Sequence, residues 1–204
     1  MEEHLSAPTA NRPPNGAAPV GLTKPKGSYR HGDLRNALIV TAKELTLQRG
    51  DTDFTLREIA GRTGVRHAAV YRHFESKGAL LSEIARLVFE QLAGELETAA
   101  KNGEAPAAVA AVSRRYMAFA VERPGEYRML ARAFETEPGY AAALCKLLRI
   151  AIERAPAVRA KSPADVQARL LFAQLHGLAT LRVSDVYGAE DGQACADALA
   201  ALWR

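Results

Sequence analysis

Two short helical patterns joined by a glycine turn constrain the fold of this chain more than any other feature. The first begins at Thr55, whose hydroxyl suits a helix N-cap, and Glu58 completes the capping-box spacing T-x-x-E. Gly64 suits the left-handed residue that ends a helix. The second pattern follows at once and places Val70 and Phe74 on one side. Two short helices with a tight turn between them are the outline of a helix-turn-helix.

The second helix of this pair has a basic and aromatic outer face. Only one stripe of so short a helix can be buried, so the remaining side chains must point largely outward: His67, Ala68, Ala69, Tyr71 and Arg72. From Lys24 to Leu80 the chain has eleven Lys and Arg against six Asp and Glu, whereas the rest has sixteen against seventeen. The positive excess therefore lies around this segment, which favours a nucleic-acid face.

The other periodic segments also predict helices. Asp33 suits the cap of a first helix that ends at Gly50, and Ser76 suits the cap of a longer one through Leu92. Further helices are predicted at about 106–122, 125–135, 139–154, 163–185 and 190–203, with Ser162 as a cap and Pro163 at the first helical position. No strand-like alternation and no internal repeat occur, so the fold class is all-α.

The same patterns divide the chain into three parts. Residues 1–28 are rich in proline and lack a hydrophobic period, so we expect a disordered tail whose Lys24 and Lys26 can touch a polyanion. Residues 29–80 form a three-helix, helix-turn-helix DNA-binding domain, here called the head. Residues 81–204 are predicted to form a helical domain, here called the body.

Composition and missing motifs argue against several other classes of protein. No apolar run approaches the ~20 residues needed to span a bilayer, and the N-terminus has no signal-peptide pattern. The two cysteines, Cys145 and Cys195, fit a reducing compartment, so we expect a cytoplasmic protein. The chain has no HExxH or CxxC spacing, no phosphate-binding glycine loop and no nucleophile elbow. We therefore predict no catalytic residue, no metal and no cofactor.

The segment from Thr55 to Leu81, T-L-R-E-I-A…T-G-V…V-Y-R-H-F…S-K…L-L, resembles the DNA-binding head of the TetR/AcrR family of bacterial repressors. The segment Y-R-H-G-D-L-R at 29–35 is similar to the family's entry into the first helix. In the body, R-P-G-E-Y-R-M-L at 123–130 and F-A-Q-L-H-G-L-A-T-L at 172–181 resemble the C-terminal group with a His-Gly motif, although its usual Trp is absent. Arg66 stands where the family commonly has a Ser or Thr cap, and Gly78 where an acidic residue is usual.

This resemblance implies roles for residues of the head. Tyr71 and Lys77 would contact phosphates, Thr55 would add a phosphate contact, and His73 would lie near the DNA backbone or brace the turn. Base reading would fall to Arg66, His67, Ala68, Ala69 and Arg72, because guanidinium donors read guanine and alanine methyls meet thymine methyls. The implied partner is a double-stranded operator.

The resemblance also implies an apolar or amphipathic small-molecule effector in the body. A packed core explains any single aromatic residue there, and His176 is equally an ordinary core histidine. As a set, some of the following are expected to border a pocket: Phe89, Tyr116, Phe119, Met129, Phe134, Tyr140, Phe172 and His176.

The last two predicted helices are apolar on more than one side. Such a helix needs two partners, and one of them can belong to a second chain, as in the four-helix dimer interface of the family. The predicted interface residues of this homodimer are Leu171, Leu175, Leu178, Ala194, Ala198 and Leu202.

These features together predict a dimeric TetR-type regulator, a repressor that a small molecule releases from a near-palindromic operator. Two alternatives stay open on the sequence alone. One is a DNA-binding architectural protein without an effector, and the other is a small all-α enzyme whose basic head is incidental.

Overall fold

Eight helices make up most of the part of the chain that can be described. The computed structural model describes residues 31–102, 107–155, 162–186, 188, 194, 195, 197–199 and 201. Their helices are α1 (His31–Arg49), α2 (Leu56–Thr63), α3 (His67–Tyr71), α4 (Lys77–Asn102), α5 (Ala108–Glu122), α6 (Pro124–Thr136), α7 (Pro138–Glu153) and α8 (Ala164–Val183). The described residues from 194 to 201 are also helical, and no described residue is in a strand. The predicted all-α fold is therefore confirmed.

The turn chemistry of α2 follows the sequence pattern. The Thr55 hydroxyl accepts a hydrogen bond from the Glu58 backbone N–H at 3.1 Å. Gly64 ends the helix with φ +71°, and its N–H donates to backbone carbonyls of the last turn. Glycine adopts this left-handed conformation without steric cost, so the chain can turn directly into α3.

One hydrophobic core runs from the head into the body. Ile59 of α2, Val70 of α3 and Phe74 pack against α1 and the start of α4, and all are at most 3% exposed. The 26-residue helix α4 begins at Lys77 in the head and continues without a break to Asn102. At about 1.5 Å per residue it is roughly 39 Å long. A division between residues 80 and 81 therefore falls inside a continuous helix.

A close contact between α1 and α6 joins head and body. The Lys43 ammonium lies 2.9 Å from the buried carboxylate of Glu126. At the neighbouring Gly125, an added Cβ would lie only 2.8 Å from the Thr46 carbonyl oxygen, so the two backbones touch. We call these four residues the α1–α6 joint.

Two further links flank this joint. The Arg128 guanidinium donates to the Gly50 carbonyl at 2.7 Å and to the Val183 carbonyl at 2.8 Å, so it connects the end of α1 with the end of α8. Glu83 of α4 accepts from Arg86 and, at 2.9 Å, from Arg35 of α1. Hydrogen bonds from Arg86 and Arg35 lower the pKa of the Glu83 carboxyl to about 2, so this link stays charged at physiological pH.

Two helix starts differ from the prediction. The first helix begins at His31, so Asp33 lies in its first turn and is not its cap. An acidic residue is favoured at both places, which explains the error. Pro163 is the N-cap of α8 and not its first helical residue, since its carbonyl accepts from the N–H groups of Val166 and Gln167.

Some predictions concern residues that lie outside the described ranges. They include the 1–28 tail with Lys24 and Lys26, and Leu202 of the terminal helix. Among the helices that can be examined, none is both long and apolar enough to cross a membrane.

Candidate nucleic-acid interface and body aromatic cluster

Helix α3 presents its polar side to solvent. Val70 is fully buried and Phe74 is 3% exposed, whereas the Tyr71 side chain is 50% exposed. The residues exposed around it form what we call the α3 face: Arg66, His67, Ala68, Tyr71 and Arg72. This orientation is the one that the positions of Val70 and Phe74 predict.

Backbone hydrogen bonds at both ends of α3 hold it in place. At the start, the Val65 N–H donates to the Ala60 carbonyl at 3.0 Å, which fixes α3 against α2. At the end, the N–H groups of His73 and Phe74 both donate to the Val70 carbonyl. Arg66 occupies the N-cap without a side-chain capping bond, as its departure from the Ser/Thr pattern suggests. Its guanidinium is therefore not used for capping.

The other residues predicted to contact DNA surround α3 at different depths. Ala69 and His73 are half-buried, and Thr55 is exposed beside its capping bond. The Lys77 ammonium lies 5.1 Å from the centre of the Phe54 ring, so its side chain packs against the head. That these residues touch DNA stays a prediction, but all of them lie on the head around α3.

A hydrogen-bonded cluster lies inside the body, where α5, α6 and α8 meet. The hydroxyls of Tyr116 and Tyr127 lie 3.2 and 3.1 Å from Nδ1 of His176. The Tyr127 hydroxyl also donates to the His176 carbonyl at 3.0 Å and lies 2.8 Å from the Thr180 hydroxyl. Burial raises the pKa of both tyrosines and lowers the pKa of His176, so neutral forms are favoured throughout.

Aromatic rings complete this body aromatic cluster. Phe134 and Phe172 pack on the His176 ring with centroid distances of 5.5 Å each. Phe119 contacts the ring of Tyr127 at 6.5 Å. Apolar rings therefore enclose one imidazole and two hydroxyls, so the cluster combines a few polar groups with a large apolar surface.

The predicted effector-binding residues do not form one site. Tyr116, Phe119, Phe134, Phe172 and His176 share the body aromatic cluster. Phe89 and Tyr140 instead pair with each other at 5.0 Å. Met129 lines a groove of about 320 Å³ between α6 and the start of α4. Tyr127 was missed among the predicted residues, although the R-P-G-E-Y-R-M-L segment contains it.

Acid is expected to destabilise the protein through His176. Burial keeps the pKa of this imidazole below its ordinary value of 6.5, with the charge of Glu135 opposing the shift. Unfolding exposes the ring, so below about pH 6.5 the unfolded chain binds more protons than the folded one. The free energy of unfolding should therefore fall as pH drops from about 7 to 5. Urea unfolding of wild type and His176→Gln across this range measures the contribution.

The variant should lose part of the pH dependence. His67→Gln is the matched control, because His67 is exposed on α3, where its ring packs edge-on against Tyr71. If the free energy of unfolding of His176→Gln depended on pH as that of the wild type does, His176 would not be a source of the acid sensitivity.

The predicted dimer residues fall on different sides of their helices. Leu171 and Leu175 are fully buried inside the subunit, so they have no surface left to cover, and the prediction that they contact a partner is wrong. Leu178 is half-buried, while Ala194 and Ala198 are exposed. The outward side of α8 instead carries Val166, Leu170, Ala173 and Gly177, with Leu170 54% exposed.

Comparisons with known proteins agree with this arrangement of head and body. Residues 38–84 match the family model "Bacterial regulatory proteins, tetR family", and residues 109–202 match "Tetracyclin repressor-like, C-terminal domain". No curated protein matches the sequence.

Solved structures with the same fold include three transcriptional regulators. A TetR-family regulator from Pectobacterium atrosepticum is 19% identical over 84% of this chain and 91% of its own, with a TM-score of 0.67. SmeT, the repressor of the Stenotrophomonas maltophilia multidrug efflux pump SmeDEF, is 21% identical over 82% of this chain and 89% of its own, with a TM-score of 0.64. LfrR from Mycobacterium smegmatis, in complex with proflavine, is 18% identical over 83% and 93%, with a TM-score of 0.58.

A helix-turn-helix head with an outward basic helix, fused to a helical body, defines a DNA-binding transcription regulator. This chain belongs to the TetR family of these regulators. Membership excludes the enzyme alternative, because the family consists of regulators.

Proposed function

We propose that this regulator is a homodimeric repressor that acts in the bacterial cytoplasm and leaves its operator when a small molecule binds the body. The outward orientation of the α3 face carries the proposal. Two arginines, a histidine and a tyrosine are exposed there around the small Ala68, which lets the helix approach base edges closely.

The outward side of α8 supports dimerisation. Val166, Leu170, Ala173 and Gly177 repeat at helical spacing on the side opposite the buried Leu171 and Leu175. In the terminal helix, Ala194, Ala198 and Ala201 are exposed at the same spacing, while Leu199 is buried. Small and apolar residues exposed on the last two helices of the chain suit a self-complementary helical interface.

Dimer geometry determines which DNA is bound. In this proposal residues 29–80 bind DNA and residues 81–204 bind effector and partner. Two α3 faces related by a two-fold axis would enter successive major grooves, roughly 34–36 Å apart on a near-palindromic operator. Arg66, His67, Ala68, Ala69 and Arg72 would read bases, while Thr55, Tyr71, His73 and Lys77 would contact the DNA backbone.

Release requires an effector that prefers one arrangement of the heads. The body aromatic cluster suits an aromatic effector, and several of the similar structures hold such molecules, among them SmeT with triclosan and LfrR with proflavine. The effector must bind the DNA-incompetent arrangement more tightly, since equal affinity for both shifts nothing. The α1–α6 joint supplies the physical link from body to head.

Removing Arg72 is expected to weaken operator binding roughly 5- to 150-fold, the equivalent of about 1–3 kcal/mol for a base-reading arginine. The duplex is one that the wild-type protein selects from a random library, and fluorescence anisotropy measures Kd for wild type, Arg72→Ala and Arg114→Ala. Arg114 is an exposed arginine on α5, so its loss controls for charge alone.

The same titrations separate a repressor from an architectural protein. For a repressor, Kd for the selected duplex is at least about 10³-fold below Kd for a scrambled one at physiological salt. Equal affinity for both duplexes, or equal losses in the two arginine variants, contradicts the proposal.

A further inference from the structure

A groove on the outer surface of the body lies between α7 and α8. Its volume is about 430 Å³, within the range of small-molecule sites. Ala141 and Ala142 of α7 and Ala168 and Phe172 of α8 supply an apolar floor. Because three of these four side chains are methyl groups, a flat or extended hydrocarbon can lie close to both helix backbones.

Two cations border this floor. Lys146 of α7 and Arg169 of α8 line the groove and are both exposed. Within the described part of the chain, neither is in an ion pair. The lining has a single acidic residue, Asp165, which lies 3.6 Å from Arg149, and Arg149 also pairs with Glu153 at 3.4 Å. The groove therefore has an excess of positive charge beside an apolar surface.

The Phe172 ring connects this groove with the interior. One part of it lines the groove, and it also packs on Phe134 at 5.2 Å and on His176 at 5.5 Å. A molecule lying on Phe172 therefore contacts a residue of the body aromatic cluster without entering the core.

We propose that the α7–α8 groove binds an amphipathic organic carboxylate, with its carboxylate between Lys146 and Arg169 and its aromatic or alkyl part on the alanines and Phe172. The carboxylate accepts paired hydrogen bonds from the planar guanidinium, a geometry that an alcohol or an ammonium cannot reproduce. The apolar part removes the exposed methyl groups and the Phe172 ring from water. This site lies in the body and is separate from the α3 face of the head.

The first test compares three probes with the same phenyl ring and the same number of chain carbons: 4-phenylbutyrate, 4-phenylbutanol and 4-phenylbutylamine. Calorimetric titration of the full chain should give a Kd for the carboxylate at least about tenfold below those of the alcohol and the amine, the value of one charge-assisted hydrogen bond. Arg169→Gln and Lys146→Gln should each weaken the carboxylate and leave the alcohol unchanged. Arg114→Gln, an exposed arginine on α5 away from the groove, should bind as wild type does.

A second test locates the bound molecule. Cys145 lines the groove and is half-buried, so its alkylation by iodoacetamide in a Cys195→Ser background reports access. Burial raises the pKa of the Cys145 thiol, so the reaction is run at alkaline pH. Saturating 4-phenylbutyrate should slow the alkylation of Cys145, and Ala142→Phe, which fills the groove from an exposed helix position, should abolish binding of the carboxylate.

Two results would overturn this site. One is equal binding of the three probes with no effect of Arg169→Gln. The other is tight binding of the carboxylate with no protection of Cys145, which would place it elsewhere.

Discussion

Lys43→Met is expected to lower the free energy of unfolding by about 3 kcal/mol, near the lower end of the range for breaking buried ion pairs. Its partner Glu126 is only 4% exposed, so loss of the ammonium leaves a buried carboxylate with Arg123 at 3.8 Å as its nearest described cation. The Lys43 side chain is 27% exposed, which admits some water and keeps the effect below the maximum. Urea denaturation of the variant measures the loss.

The double variant Lys43→Met/Glu126→Met separates this effect from lost packing. It removes both charges, so it should be more stable than Lys43→Met alone, because the uncompensated carboxylate is gone. Lys101→Met is the control: Lys101 and Glu97 form an exposed pair at 2.7 Å, and its loss should cost less than about 1 kcal/mol. Equal losses for Lys43 and Lys101 would show that the α1–α6 joint has no special energetic role.

Gly125→Ala is expected to destabilise the protein by about 1–3 kcal/mol, the usual cost of overpacking. The new methyl carbon would lie 2.8 Å from the Thr46 carbonyl oxygen and 3.1 Å from its Cγ2 atom, so α1 and α6 must separate. Backbone cannot move aside as a flexible side chain can, and the head shifts with α1. The same denaturation experiment measures the change.

Gly94→Ala is expected to have the opposite effect on the free energy of unfolding. Gly94 lies in the middle of α4, and apart from its own helix backbone no atom lies within 4 Å of its added Cβ, so alanine should stabilise the helix by about 0.5–1 kcal/mol. If both substitutions stabilised the protein, the close approach of α1 and α6 would be contradicted.

The head was predictable from sequence because its signals are local. Thr55, Glu58 and Gly64 act within one helix and its turn, so their spacing predicted both ends of α2. The spacing of Val70 and Phe74 likewise predicted which side of α3 is exposed. Helix starts were less certain, because Asp33 is favoured both as a cap and in a first turn.

The body was predicted less well because its contacts are distant in sequence. Tyr127 and His176 are 49 residues apart, and no helical period indicates that their polar atoms meet. On α8 both sides are apolar, so the pattern could not distinguish the exposed Leu170 from the buried Leu171. Only the packing of α8 on its neighbours decides which leucine faces inward.

The shortness of α3 has a consequence for how this regulator can change over generations. Five residues are too few to form a helix alone, so the segment depends on Val70 and Phe74 for its shape. The side chains of Arg66, His67 and Arg72 contribute little to that anchoring. Mutations can therefore replace them at small cost in folding. In the proposed function these residues read bases, so such replacements would give lineages new operator preferences on an unaltered scaffold.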